Sequence, residues 1–149
     1  MKITRRPATD ADREYARDAH HRGYRDTVVK QFGTWDEAAQ DGFFEHGWKT
    51  FRHEILLCDG VPCGYVAVSE LPGYIHVIEL VVHADFQGRG IGSTFLREVV
   101  AAARTRGVPV KLGVLHKNRA FDFYRKLGFR ETGRTSTHIL MEHGGEQAM

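Results

Sequence analysis

Two stretches of the sequence combine residue types that could bind a phosphate group and move a proton. The first, residues 78–93, is an apolar run that contains Glu79 and passes into a glycine-rich segment. A strand that breaks into such a loop and opens a helix gathers backbone N–H groups and the positive end of the helix dipole around an anion. The second stretch, residues 117–129, places Tyr124 in a short helical pattern, where it is a candidate proton donor. Together they indicate an enzyme that uses a phosphate-bearing cofactor.

The glycine-rich segment satisfies one phosphate-binding pattern and fails two others. A P-loop requires Gly-Lys-Ser/Thr at its end, and a dinucleotide fingerprint requires Gly-x-Gly-x-x-Gly, but the last glycine of either pattern falls on Ser93 or Phe95. The pattern that remains is Gln/Arg-x-x-Gly-x-Gly/Ala, which Gln87, Gly90 and Gly92 satisfy. This pattern is short, so its significance comes from its context. It follows a strand pattern and opens a strong helix pattern.

The size and composition of the chain fit one ordinary domain. Its 149 residues are 42% hydrophobic and 27% charged, with both signs mixed, and we predict a single domain over residues 1–149. The formal net charge of +2 is too small to predict a nucleic-acid partner. The longest apolar runs have strand length, which argues against a membrane partner. No apolar run follows the basic N-terminal residues as in a secretory signal, so we expect a cytoplasmic location.

The cysteines and histidines do not form a pattern typical of a metal site. Cys58 and Cys63 flank an Asp-Gly turn and have no second pair at matching spacing, whereas a structural zinc site takes about four ligands. The nine histidines are scattered, and none stands in an i, i+4 pair with a carboxylate between. We therefore predict that no metal is required, and we interpret both cysteines as structural thiols.

Hydrophobic periodicity and turn signals predict the elements that would position these residues. Helical spacing is clearest over 90–106, whose first turn contains no Asp or Glu and leaves the positive helix end free for an outside anion. Capping residues predict two earlier helices, one from Thr9 to about residue 21 or a little beyond and one from Thr34. Extended segments are predicted at 2–5, 51–58, 61–70, 74–83, 108–115, 129–134 and 137–142, with a short helix within 118–128 and a frayed tail at 144–149.

The sequence resembles the GNAT superfamily of acyl-CoA-dependent N-acetyltransferases over essentially its whole length. Residues 87–92 resemble the pyrophosphate loop of that family. Two further sets resemble its first strand and its second cofactor motif: Ile3, Arg6, Ala8, Thr9 and Asp12, and Asn118, Ala120, Phe123, Tyr124, Gly128 and Phe129. The resemblance implies an α/β fold with a mixed, mostly antiparallel sheet of about seven strands, flanked by about four helices. It also implies that strands 4 and 5 splay apart and leave a slot for pantetheine.

The resemblance further implies acetyl-CoA as co-substrate and a set of residues that would hold it. The backbone of the fourth strand would pair with pantetheine, and the glycine loop would close on the diphosphate. The candidate cofactor-binding residues are Leu80, Val81, Val82, Gln87, Gly88, Arg89, Gly90, Ile91, Gly92, Ser93, Asn118 and Tyr124. Two alternatives without a binding role stay open. The loop could be a plain strand–helix turn, and Arg89 could be an ordinary solvated arginine.

Two residues are candidates for catalysis. Tyr124 is either a core aromatic or, as the resemblance implies, the general acid that protonates the leaving thiolate. Tyrosine and thiol have ordinary pKa values of about 8.5–10, so this transfer is expected to be nearly isoenergetic. Glu79, a carboxylate in a strand of Ile and Val, is expected to be either paired or functional, and the resemblance implies that it acts as general base, usually through water. His76 is the rival base; alternation puts 76 and 79 on opposite faces unless a bulge intervenes.

The acceptor is expected to lie against the first helix and the loop after it. Candidate substrate-binding residues are His20, His21, Tyr24 and His76. We expect direct transfer to the primary amine of a small molecule within a ternary complex. A protein or peptide N-acetyltransferase and a non-catalytic acyl-CoA-binding module remain alternatives. Because members of the family are often dimers, a homodimer is also possible by analogy.

Overall fold

The computed structural model of the protein describes residues 1–145, which form one seven-stranded mixed sheet flanked by four α-helices. The strands are β1 (Ile3–Pro7), β2 (His53–Cys58), β3 (Val61–Leu71), β4 (Tyr74–Val82), β5 (Val110–Leu115), β6 (Arg130–Arg134) and β7 (His138–His143). The helices are α1 (Arg13–Phe32), α2 (Glu37–Thr50), α3 (Ile91–Arg106) and α4 (Ala120–Lys126). The order of elements predicted from the sequence is confirmed. The predicted tail at 144–149 falls mostly outside the described residues.

The sheet opens between its fourth and fifth strands. The strand order is β1-β2-β3-β4-β5-β7-β6, and every neighbouring pair is antiparallel except β4 and β5. These two run parallel and pair only at Ile75 with Val110 and at His76 with Lys111. Beyond that point they diverge, so the β5-facing edge of β4 has no ladder partner among residues 1–145. The predicted splay is therefore confirmed.

A β-bulge in β4 decides whether Glu79 and His76 lie on the same face of the sheet. Glu79 lies opposite Ala67 on β3, but the next pair is Val77 with Val68, so β4 has one extra residue between them. An extra residue reverses the alternation of side chains. The bulge consequently puts Glu79 on the same face of the sheet as His76, as the sequence analysis allowed.

Hydrophobic residues fill both faces of the sheet. One core cluster lies between the sheet and helices α3 and α4, and it includes Phe95 and Val77. The second lies under α1 and α2, and it includes Phe44, Tyr65 and Val81. The buried side of α3 carries Ile91, Phe95, Leu96, Val99 and Ala103, which is the helical spacing that predicted it. This packing holds β4 between two cores at the point where the sheet opens.

Two helix boundaries differ from the sequence prediction. Helix α1 continues to Phe32 and ends at Gly33, whose φ of 86° is left-handed; polar residues and a glycine in its middle conceal the pattern. Helix α2 is capped by Asp36, whose carboxylate accepts from the Ala39 N–H at 3.1 Å, and not by Thr34. Within the described part of the chain, none of the helices is long and apolar enough to cross a membrane.

Candidate active site

The divergence of β4 and β5 produces a cavity of about 560 Å³. Helix α1 and the turn between β6 and β7 close its far side. Its lining residues from the strands are 77–82, 112–115 and His138, and those from the helices and loops are His20, Gly23, Tyr24, Val28, Phe32, Gln40, Phe43, Gln87, Asn118, Ala120, Tyr124 and Thr137. Both predicted catalytic residues, Glu79 and Tyr124, therefore line one cavity.

The Glu79 carboxylate is held by a tyrosine from the neighbouring strand. The Tyr65 hydroxyl donates to Glu79 Oε2 at 2.5 Å, and Tyr65 itself is fully buried. Burial raises the pKa of Glu79 above its ordinary value, while the hydrogen bond from Tyr65 lowers it. A carboxylate with a raised pKa is a stronger base than an ordinary one. His76, the rival candidate, is not among the residues that line the cavity.

Tyr124 is buried with its hydroxyl unengaged. Its side chain is only 8% exposed, and no group among residues 1–145 forms a hydrogen bond with its hydroxyl. Burial raises the pKa of Tyr124 to about 12. The hydroxyl therefore stays protonated, but proton transfer to a thiolate of ordinary basicity would be uphill, contrary to the near match expected from unperturbed pKa values. The same dry surroundings would also raise the basicity of a thiolate beside it.

The glycine loop has the geometry of an anion site. Gly88 and Gly90 have φ values of 81° and 79°, a left-handed conformation that other residues adopt at a cost. Gly90 precedes α3, whose first turn contains no acidic residue and which no side chain within residues 1–145 caps. The first N–H groups of a helix have no partner within it. This helix therefore begins with free donors and a positive dipole end next to the opening between β4 and β5.

Three further predicted cofactor residues, Arg89, Gln87 and Asn118, form contacts within the protein itself. The Arg89 guanidinium lies 4.9 Å from the centre of the Phe86 ring on the surface. The Gln87 amide donates to the Val82 carbonyl at 3.1 Å, which ties the loop to the end of β4. The Asn118 side chain accepts from the N–H of Ala120 at 2.9 Å, so it supports the start of α4 while lining the cavity.

Three predicted cofactor residues contribute mainly to the position of α3. Ile91 is buried in the core with 1% exposure. At Gly92, an added Cβ would lie 3.3 Å from the ring of Phe123, so this glycine allows α3 and α4 to pack closely. Ser93 lies half-buried in the first turn. Their backbone N–H groups lie in the first turn of α3, where N–H groups have no partner within the helix.

The structure separates the four predicted substrate residues into two pairs. His20 and Tyr24 line the cavity, whereas His21 and His76 do not. His21 turns toward α2, where its Nε2 lies 2.7 Å from an oxygen of Asp41. His76 lies where β4 and β5 still pair, outside the cavity.

Among the lining residues that the sequence did not predict are Val28, Phe32, Phe43 and His138. His20, Tyr24, Val28 and Phe32 are spaced four apart on α1 and form one stripe along the cavity. That i, i+4 spacing was visible in the sequence, but the helix was expected to end near residue 21. Phe43 from α2 and His138 from β7 also line the cavity, and the sequence carries no local signal for either.

One group of side chains could in principle bind a cation. Possible ligand atoms of His21, Glu37 and Asp41 all lie within 4.8 Å of one another. The Arg17 guanidinium, however, lies 2.6 Å from Asp41 and 3.4 Å from Glu37. It already supplies positive charge to both carboxylates, so a metal ion would have to compete with it.

Two curated N-acetyltransferases are similar in sequence to this chain. An uncharacterized N-acetyltransferase from Methanocaldococcus jannaschii is 33% identical over 95 residues, which cover 62% of this chain and 40% of the relative. Another from Staphylococcus saprophyticus is 36% identical over 84 residues, which cover 52% of this chain and 53% of the relative. The chain thus spans about half or less of the length of these curated relatives.

A solved structure shares the fold. The PaiA N-acetyltransferase from Thermoplasma acidophilum, in complex with coenzyme A, superposes with a TM-score of 0.77 at 18% identity, over 97% of this chain and 99% of that one. The sequence model of the acetyltransferase (GNAT) domain matches residues 49–131, more than half of the chain, from the end of α2 into β6. The match includes β4, the glycine loop and α4. The chain therefore belongs to the GNAT family of acetyltransferase domains.

Proposed function

We propose that this protein transfers an acetyl group from acetyl-CoA to the primary amine of a small, largely apolar molecule. The observation that carries the proposal is the single cavity that holds both Glu79 and Tyr124 and opens between β4 and β5. A base and an acid in one cavity permit deprotonation of the amine and protonation of the leaving group without movement of either reactant.

The open edge of β4 and the start of α3 would hold the cofactor. The backbone of Leu80, Val81 and Val82 would pair with the pantetheine chain as an added strand does, since no strand of the described chain occupies that edge. The N–H groups that follow Gly90 would bind the diphosphate. The solved T. acidophilum relative is in complex with coenzyme A, which supports this assignment.

Glu79 and Tyr124 each carry out one of the two proton transfers. Glu79 takes a proton from the ammonium group, directly or through water, and the neutral amine attacks the thioester carbonyl. A backbone N–H of β4 stabilises the developing oxyanion. The carbon–sulfur bond breaks and Tyr124 protonates the departing thiolate. A covalent route through Cys63 is disfavoured because burial and the nearby Cys58 raise the pKa of this thiol to about 11.

The acceptor side of the cavity favours an apolar body with one positive charge. Val28, Phe32, Phe43 and Leu115 line it. Among the described lining residues, Glu79 is the sole member of the Asp, Glu, Lys and Arg classes. A polyamine or a basic peptide would bring further positive charges that no carboxylate in the cavity could pair, and burying an unpaired charge is costly.

A thiol-release assay with acetyl-CoA tests the proposal directly. We expect kcat/KM for 2-phenylethylamine and tryptamine to exceed that for spermidine or a lysine-containing peptide by about tenfold or more. A preference for the peptide or the polyamine would contradict the acceptor class. If calorimetry detects coenzyme A binding but the protein acetylates none of the amines, the non-catalytic alternative is favoured. If calorimetry instead detects no coenzyme A binding, the assignment fails entirely.

A second test separates the base from the cofactor site. Glu79→Gln should lower kcat/KM about 10²- to 10⁴-fold at neutral pH and leave coenzyme A affinity unchanged. Activity should recover in part at alkaline pH, where a larger fraction of the amine is already neutral. The matched control is Glu70→Gln, which removes an exposed carboxylate at the far end of β3 and should leave turnover unchanged.

A further inference from the structure

A chain of three side chains joins the cavity wall to the protein surface. His20, which is 6% exposed and lines the cavity, has its Nδ1 atom 2.9 Å from Nδ1 of His21. Nε2 of His21 lies 2.7 Å from Oδ1 of Asp41 on α2. The Asp41 side chain is 38% exposed. We name these three residues the histidine chain.

The carboxylate at its outer end sets the direction of the hydrogen bonds. Hydrogen bonds from His21 and Arg17 lower the pKa of Asp41, so the group is ionised and can only accept. Nε2 of His21 therefore carries hydrogen, and the Nδ1 of a neutral His21 is a lone pair. With His21 neutral, Nδ1 of His20 is the donor between the two rings. In a neutral His20 this leaves the lone pair on Nε2.

That lone pair is available to a ligand. No group among residues 1–145 forms a hydrogen bond with Nε2 of His20. The ring is held in place by contacts with Tyr24 and Phe44, whose ring centres lie 4.8 Å and 5.6 Å away. Burial, with a smaller effect from His21, lowers the pKa of His20 to about 4. The imidazole is therefore neutral at physiological pH and offers an acceptor at the cavity wall.

We propose that His20 binds the acceptor amine through Nε2 and that His21 and Asp41 are positioning residues that hold it in the required tautomer. This proposal rests on the proposed function. A neutral primary amine has two N–H donors, one for Glu79 and one for His20, whereas a neutral secondary amine has only one. The pair of acceptors therefore also selects for primary amines.

The tautomer can be measured without turnover. In protein labelled with ¹⁵N-histidine, the nitrogen resonances of His20 should show hydrogen on Nδ1 and a lone pair on Nε2. His21→Phe keeps an aromatic ring beside Trp35, which His21 contacts edge-on at 5.1 Å, but removes the acceptor. His20 should then become a mixture of tautomers. Hydrogen on Nε2 in the wild-type protein would overturn the proposal.

Kinetics test the role of the lone pair. His20→Phe should raise the amine KM about tenfold, the loss of one hydrogen bond, with KM for acetyl-CoA unchanged. His21→Phe should raise the amine KM by a smaller factor. Asp41→Asn keeps an accepting oxygen, so its amine KM should stay close to the wild-type value. The control is His46→Phe, an exposed position on α2.

The outcomes distinguish this proposal from the one on which it rests. A wild-type protein that acetylates no amine would overturn the proposed function and the binding role of His20 with it. An active wild type whose amine KM is unaffected by His20→Phe, in a variant with a normal thermal unfolding curve, would overturn the present proposal alone.

Discussion

The Tyr65 hydroxyl donates a hydrogen bond to Glu79 across the β3–β4 pair at 2.5 Å. Glu79 lies two residues before Val81, which pairs with Tyr65, so strand alternation puts Glu79 on the face on which Tyr65 is buried. The tyrosine stabilises the ionised carboxylate that burial disfavours. The protonation of the proposed base thus depends on a residue that need not contact the substrate.

Tyr65→Phe should move the acidic limb of the pH–rate profile to higher pH. Glu79 accepts a proton only as a carboxylate, so activity falls as the pH drops through its pKa. Removal of the donor raises that pKa, and a hydrogen bond to a charged group corresponds to a shift of about one to two pH units. The measurement is kcat/KM for the best amine between pH 5 and pH 9.

Tyr15→Phe is the matched control for this experiment. The Tyr15 hydroxyl is buried without a hydrogen-bond partner among the described residues, and its ring stacks on His83. Its removal should leave the pH profile in place. An acidic limb that is the same in Tyr65→Phe and wild type would mean that Glu79 does not control this limb.

Tyr124→Phe should slow turnover and spare cofactor binding. The substitution keeps the ring that packs against Phe129 and deletes only the hydroxyl. We expect kcat to fall about 10²- to 10⁴-fold, with the dissociation constant of coenzyme A near its wild-type value by calorimetry. Tyr74→Phe, at the other end of β4 and outside the cavity, is the control. Unchanged kcat would remove Tyr124 from the mechanism.

Gly90→Ala should weaken both the fold and the cofactor site. Its φ of 79° costs an alanine about 1–2 kcal/mol, and relaxation of that strain would rotate the first N–H groups of α3 away from the diphosphate. We expect lower thermal stability and at least a tenfold weaker affinity for coenzyme A.

The control is Gly42→Ala in α2, where an added Cβ meets nothing within 4 Å. It should stabilise the protein by about 0.5–1 kcal/mol through helix propensity, with unchanged affinity. Equal coenzyme A affinity in both variants and the wild type would contradict the role of the glycine loop.

Most of the fold could be predicted from the sequence because its signals are local. The glycine and proline turns separate the strands, and the spacing of Phe95 and Val99 predicts α3. The end of α1 could not be placed, since the polar segment before Val28 hides its buried face. The cap of α2 was assigned to Thr34, although Asp36 fits equally well, because only the path of the chain decides between neighbouring capping residues.

The site was predictable to the extent that it depends on motifs. Glu79 and Tyr124 are recognisable from their residue types and positions, yet their proximity depends on the splay of β4 from β5, which no local pattern encodes. The role of Tyr65 could not be predicted because a tyrosine in a strand usually packs in the core, and its link to Glu79 depends on the pairing register of β3 with β4. The match of pKa values expected for Tyr124 cannot be read from residue types alone, because burial raises the pKa of Tyr124 and would also raise that of a thiol beside it.

Gln31 connects three segments around the cavity, and its loss should affect the amine more than the cofactor. Its amide donates to the Thr137 carbonyl at 2.8 Å, and its oxygen accepts from the Lys117 N–H at 3.1 Å. Gln31→Ala removes both bonds, each contributing about 1 kcal/mol, and frees the β6–β7 turn that closes the acceptor side. We expect a several-fold higher amine KM and an unchanged KM for acetyl-CoA, whereas the exposed neighbour substitution Lys30→Ala should change neither. A rise in both KM values would show that Gln31 supports the whole slot and not its acceptor side alone.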